Sequence, residues 1–171
     1  MADFDASGYP PYERCAICHG LFGVSHTDRF PHLGGQKPGY IEAQIDAFME
    51  GRRTNDRGQM AAIVTELKPE EVSVVVEWFS TQDPPAPSGE GSAKGKSVFA
   101  DLGCAACHGA DMPEVPHLTA QHAGYLAKQM TDFRDGARAG HPAARLHTEL
   151  LELPDDTLAA VADYLAAEVR P

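Results

Sequence analysis

One pentapeptide pattern occurs twice and uses every cysteine in the chain: Cys15-Ala16-Ile17-Cys18-His19 and Cys104-Ala105-Ala106-Cys107-His108, 89 residues apart. Cys-x-x-Cys-His is the pattern for covalent attachment of a c-type haem. The two thiols close thioether bonds to the porphyrin, and the adjacent histidine reaches the iron as one axial ligand. A chain built this way must close around two flat apolar plates. Other chemistries also use four cysteines. Two disulfides suit an exported protein, and two Cys-x-x-Cys pairs make a four-thiolate zinc set. A pair in a βαβ setting carries out thiol exchange. Here the pairs are far apart for zinc, each carries a histidine directly after it, and no βαβ pattern is visible.

A longer repeat surrounds the motifs. Pro31-His32-Leu33-Gly34-Gly35-Gln36, Gly39-Tyr40, Gln44, Phe48 and Gly51-Arg52-Arg53 recur as Pro116-His117-Leu118-Thr119-Ala120-Gln121, Gly124-Tyr125, Gln129, Phe133 and Gly136-Ala137-Arg138, each 85 positions later. The cysteines are offset by 89, so the loop after the second motif is four residues shorter. Leu67 and Trp78 match Leu153 and Tyr164 at an offset of 86, so one residue has been added between Arg138 and Leu153. Asp83-Pro84-Pro85-Ala86-Pro87-Ser88-Gly89-Glu90-Gly91 breaks helix and sheet alike and reads as a linker. The expected units are 1–82 and 92–171, joined by 83–91.

Within each half the apolar period is helical. Tyr40, Ile41, Gln44, Ile45 and Phe48 form one stripe, and Leu126, Met130 and Phe133 form its counterpart. Pro69-Glu70-Glu71 opens a helix, with proline in the first turn and acids at the positive end of the dipole. Val72, Val75, Val76 and Phe79 are its expected buried face. The Val74–Val76 run alone would suit a strand, but the flanking signals favour helix. Pro154-Asp155-Asp156 repeats the opening, followed by Leu158, Val161, Ala162 and Leu165. Gly95 and Phe99 lie on a short helix before Cys104. The expected fold is all-α, with long loops wrapped around cofactors.

Each half is small for an independent core, and small domains lean on a cofactor. The 171 residues carry a net charge of −11. No basic stripe is present to neutralise phosphates, which excludes nucleic acid as a partner. The acidity serves solubility or steers the chain toward a basic redox partner. No run of about 18 apolar residues is available to span a membrane, which leaves docking to a membrane complex. The polar start Met1-Ala2-Asp3-Phe4 is no signal peptide. Haem of this type is attached outside the cytoplasm, so the expectation is a bacterial periplasmic protein whose leader is missing and whose Met1 was added.

Cys-x-x-Cys-His-Gly, Pro-x-Leu-x-x-Gln and Tyr-x-x-x-Gln-x-x-x-Phe-x-x-Gly-x-Arg, each present twice, resemble the dihaem cytochromes c of the cytochrome c4 type. The resemblance covers nearly the whole chain apart from the first dozen residues and the linker. It implies two tandem class I cytochrome c domains related by a pseudo-two-fold, each around a covalent haem, and a periplasmic electron carrier. The implied partners are an oxidase, reductase or dehydrogenase. Cys15, Cys18, Cys104 and Cys107 then hold two haems c. His19 and His108 bind the irons, and the Pro31 and Pro116 carbonyls orient those histidines.

The family places a methionine on the far side of each haem. Met60 fits in the first half; a methionine there is otherwise core filler, and Met49 is the only neighbour. The second half departs from the pattern: the matching position falls on Arg145 or Leu146, and no methionine lies in 131–171. His147 and His141 lie in that loop, and histidine is also an axial ligand. Leu150 and Leu151 follow His147 as Ile63 and Val64 follow Met60, which favours His147. His141, Met112 or no ligand at all remain alternatives. A thioether raises the iron's potential and a second imidazole leaves it lower, so the first haem would be the higher, with electrons entering at the second.

His32 and His117 read as surface or haem-edge residues, and His26 and His122 as surface. Arg53 and Arg138 suit haem propionates or a solvated helix end. The carrier reading has a rival in an enzyme: a dihaem oxidoreductase, or its cytochrome subunit, of the sulfur-compound dehydrogenase type with an open or labile second iron. The known thiosulfate dehydrogenases resemble a case with a cysteine ligand, and no cysteine is left over here. A sensor would need a signalling domain, and none is present.

Overall fold

The computed structural model describes residues 8–138 and 146–171. Among these residues all regular structure is helical. The first half holds α1 (Glu13–His19), α2 (Pro38–Met49), α3 (Gln59–Val64) and α4 (Pro69–Ser80). The second holds α5 (Ala93–Asp101), α6 (Ala105–His108), α7 (Ala123–Arg134) and α8 (Asp155–Ala167), with a 3-10 turn at Thr148–Leu150. The bounds of α2 and α7 differ by the repeat offset at both ends. The halves are therefore copies of one architecture.

Local chemistry sets the helix starts. Pro38 and Pro69 each open a helix, where the missing N–H costs nothing. At α4 the Glu71 carboxylate accepts from the Lys68 N–H at 2.9 Å. That bond, with Arg14 beside it, holds the Glu71 carboxyl below its ordinary range. Pro154 differs from Pro69: it is extended and stands before the helix, which begins at Asp155. Val75, Val76 and Phe79 are buried while Val74 is 42% exposed. That is one helical stripe; a strand would have put Val74 and Val76 on the same face. Val72 is only partly buried.

α2 packs on α3 and α4 in the first half, and α8 packs on α5 and α7 in the second. The first core gathers Ile41, Ile45, Phe48, Val64, Leu67, Val75, Val76 and Phe79. The second is Leu126, Val161, Ala162 and Leu165. α5 crosses α8 at Gly95, where a Cβ would lie 1.9 Å from the Ala160 carbonyl oxygen. Only glycine lets the two helices meet that closely.

The halves face each other across reciprocal hydrogen bonds that obey the repeat. The His32 N–H donates to Gln121 Oε1, and Gln121 Nε2 returns to the His32 carbonyl. The His117 N–H donates to Gln36 Oε1, and Gln36 Nε2 returns to the His117 carbonyl. Arg170 lies where the two copies meet: Nη1 donates to Gly34 O at 2.6 Å and Nε to Thr119 O at 3.2 Å. Gly34 and Thr119 are themselves a repeat pair.

This interface corrects two expectations. His32 is 8% exposed and stacked on His122, with ring centres 3.9 Å apart. Their registration comes from Ser25, whose N–H donates to His32 Nδ1 and whose carbonyl accepts from His122 Nε2. Accepting at Nδ1 favours neutral His32. Burial, with His122 and Arg170 beside it, pushes its pKa down to about 4. His117 is half-buried at the same interface, and His26 is exposed.

Candidate functional site

The repeat turns into two similar proximal sites. His19 ends α1 and is 5% exposed. Its Nδ1–H donates to the Pro31 carbonyl at 2.9 Å. A carbonyl can only accept, so the proton sits on Nδ1 and Nε2 keeps a free lone pair. His108 ends α6 and makes the same bond to Pro116 at 3.2 Å. Burial lowers both histidine pKas, which keeps Nε2 unprotonated and fit to bind a metal.

The four cysteines are unpaired. Burial pushes the Cys15 thiol up to about 11 and raises Cys104 too, the opposite of the acidified thiol that exchange chemistry needs. They do not converge either: among the described residues no group of three or more His, Cys, Asp or Glu is arranged to hold a metal ion. The disulfide, zinc and thiol-exchange arrangements are not built. Cys-x-x-Cys-His sits instead on a helical turn that presents thiols and imidazole together.

The far sides differ. Met60 is the second residue of α3, half-buried against the first core, which Cys15 also borders. The Asp56 carboxylate accepts from the backbone of Gly58 and of Met60. Arg57 and Gly58, both at positive φ, turn the chain into α3. Met49 packs against the same core from the end of α2. In the second half the His147 ring centre lies 6.0 Å from that of His108. Two imidazoles bonded to one metal from opposite sides, each at about 2 Å, stand roughly 6 Å apart centre to centre. Phe133 stacks on His147 at 4.5 Å, 15° from parallel. Met112 is 44% exposed on the loop after His108. His141 lies outside the described residues.

Arg53 and Arg138 are not solvated helix ends; they are 6% and 4% exposed, at the interface. Arg53 donates to Gln44, Asn55, Tyr125 and Gln129. Arg138 donates to Gln129 and across to Gln44, and its Nε has no hydrogen-bond partner among the described residues. Neither forms a salt bridge among the described residues. The Tyr40 phenol lies against both guanidiniums, and Tyr125 and Asp56 help hold Arg53 charged; a cluster of buried cations of this kind suits further anionic partners. Haem propionates are such anions, so the residues present fit the group that the cysteine motifs imply.

Sequence reading missed Gln44, Gln129, Tyr125, Asn55 and Arg170 as interface residues. A polar residue repeated on an apolar stripe, Gln44 with Gln129, was a usable signal. Arg170 carries none, because it lies beyond the repeat.

The cytochrome c family model matches residues 92–167. Cytochrome c4 of Thiocapsa roseopersicina is 33% identical over 88% of this chain and 85% of its own length. The thiosulfate dehydrogenase electron acceptor of Thiomonas intermedia is 29% identical over 95% of this chain and 82% of its own. The cytochrome c4 structure of Acidithiobacillus ferrooxidans superposes with a TM-score of 0.78 at 26% identity, covering 91% of this chain and 99% of that one. These relatives are bacterial, and among the described residues no helix is long and apolar enough to cross a membrane. With both haem-attachment motifs, the helical repeat and these likenesses in place, the chain belongs to the cytochrome c4 family.

Proposed function

We propose that this protein is a periplasmic dihaem electron carrier with unlike iron ligands in its two domains, 1–82 and 92–171, joined by the linker 83–91. Cys15, Cys18 and His19 would hold the first haem, with Met60 opposite. Cys104, Cys107 and His108 would hold the second, with His147 opposite. The haem supplies a one-electron iron couple when bound. The protein's residues bias it: the Met60 thioether favours the reduced state and the His147 imidazole favours the oxidised one. The first half is thus the better electron holder. Arg53 and Arg138 offset propionate charge between the halves, and the Pro31 and Pro116 carbonyls fix the ligating tautomers. The relative named as a thiosulfate dehydrogenase electron acceptor supports a sulfur-compound dehydrogenase as the donor class.

The 6.0 Å separation of the His108 and His147 ring centres is the observation that supports this reading, because a second imidazole bound there would leave no iron position open for substrate. Ligand spectroscopy on the mature holoprotein tests it. One thioether-bound ferric iron should give a far-red band of single-haem intensity. EPR should show one bis-imidazole iron, and carbon monoxide should bind neither reduced haem readily. Rapid carbon monoxide binding at the second haem would replace the carrier with a catalytic site.

A further inference from the structure

The loops that orient the two proximal histidines are gripped from across the interface, and the grip follows the repeat. Pro116, which accepts from His108, lies in the segment 110–117 of the second half. Three residues around the start of α2 hold that segment. Gln36 pairs with the His117 backbone. Lys37 Nζ donates to the Ala110 carbonyl at 2.9 Å and to the Met112 carbonyl at 3.1 Å. Gly39 lets Pro113 approach so closely that a Cβ would lie 3.0 Å from the Pro113 carbonyl oxygen. The same positions, 85 residues later, hold the segment 25–32 of the first half, which carries Pro31. Gln121 pairs with the His32 backbone, His122 Nε2 donates to the Ser25 carbonyl at 3.1 Å, and Gly124 lies against the Asp28 carboxylate. Each half therefore holds the loop that orients the other half's imidazole.

One position breaks the symmetry. Lys37 is half-buried and carries an ammonium group, whereas its counterpart His122 is an imidazole stacked on His32. Among the described residues no carboxylate forms a salt bridge with Lys37. Its field reaches the proximal site: burial lowers the His108 pKa most, and His147 and Lys37 act in the same direction. We propose that Lys37 is a positioning residue for the second haem, acting from the other domain: it fixes the Ala110–Met112 turn and sets a cation beside the loop that orients His108. An electron added to the iron is stabilised by a nearby cation, and more strongly where water is excluded. Lys37 thus favours the reduced second haem and narrows the gap that the proposed unlike ligands open. The matching loop of the first half meets His122 instead. The proposal rests on the dihaem carrier reading, in which His108 binds the second iron.

The test is a spectroelectrochemical titration of the mature holoprotein. At a fixed potential Lys37→Gln should shift one haem on the order of tenfold toward the oxidised state, about 59 mV for a one-electron couple. The other haem should move less than about twofold. Lys37→Arg keeps the charge and should restore the wild-type curve, which a loss of mere packing would not do. His122→Lys copies the cation into the first half's grip and should move the other haem, toward the reduced state. Four results would overturn the crossed assignment alone: no shift in Lys37→Gln, equal shifts of both haems, a shift that Lys37→Arg does not restore, or movement of the same haem by Lys37→Gln and His122→Lys. A wild-type holoprotein whose mass shows a single haem would overturn the carrier reading, and this assignment with it.

Discussion

The two halves share a backbone plan but not a strategy. The first builds a larger apolar core, from Ile41 to Phe79, and flattens Tyr12 on Trp78 at 3.9 Å. The second has a smaller core among the described residues, tilts Phe99 on Tyr164 at 5.7 Å, and relies on the tight α5–α8 crossing at Gly95. Their proximal histidines are bound alike, and the proposed far-side ligands are unlike, a thioether and an imidazole. A duplicated fold thus keeps the geometry that holds a cofactor while freeing the residues that tune it. Under the proposed ligation, redox asymmetry would arise inside one chain.

The largest expected effect comes from erasing that difference. His147→Met should raise the second potential on the order of 0.1–0.3 V, within the range axial ligation spans. A spectroelectrochemical titration would show two resolved waves merging, and the far-red band would double. His147→Ala should instead leave a site that binds carbon monoxide. Unchanged waves in both variants would mean that His147 is not a ligand.

Gly95→Ala attacks the second half's packing. Its Cβ would meet backbone at 1.9 Å, whereas Gly8, 87 positions earlier, has nothing within 4 Å. Gly95→Ala should cost about 3 kcal/mol, the upper end for overpacking, and Gly8→Ala should stay within about 0.5 kcal/mol. Denaturant unfolding of the two variants would sharpen the contrast; equal losses would refute it.

Arg170→Gln removes a charged group that, like Arg53 and Arg138, binds both copies at once. Gly34 O and Thr119 O lose their charge-assisted donors, an effect of about 2 kcal/mol. The result to look for is separation of the two domains' unfolding transitions, which the unlike ligation proposed would let haem spectra distinguish.

How much of this was legible follows from which interactions are local. The haem motifs, the openings at Pro69 and Pro154, and the stripes on α2 and α4 are written in neighbouring residues, so sequence reading found them. Gln44, Gln129 and Arg138 meet only after two copies fold and face each other. Their roles depend on a partner surface that periodicity cannot encode. His32 illustrates the limit. Placed between Pro31 and Leu33, it looks like a variable surface residue, yet the second half covers it. His147 was legible as a candidate through its spacing to Leu150; its ring centre lies 6.0 Å from that of His108, while the alternative Met112 is 44% exposed.

The smallest effect is a pH dependence that also distinguishes the halves. His32 in the fold titrates at about 4, against 6.5 when unfolded. Below about pH 6.5 the unfolded chain therefore binds a proton that the folded chain refuses. Stability is complete above the unfolded pKa, falls as the pH drops through this window, and stops falling below the folded pKa. From pH 6.5 to about pH 5 the loss is about 1.5 kcal/mol. Its repeat partner His117 is also lowered by burial, but it is half-buried and has no stacked histidine. His32→Gln should flatten the change in denaturation midpoint across this range, whereas His117→Gln should flatten it less. Equal flattening would mean that the interface treats its two histidines alike. A slope unchanged in His32→Gln would place the proton elsewhere.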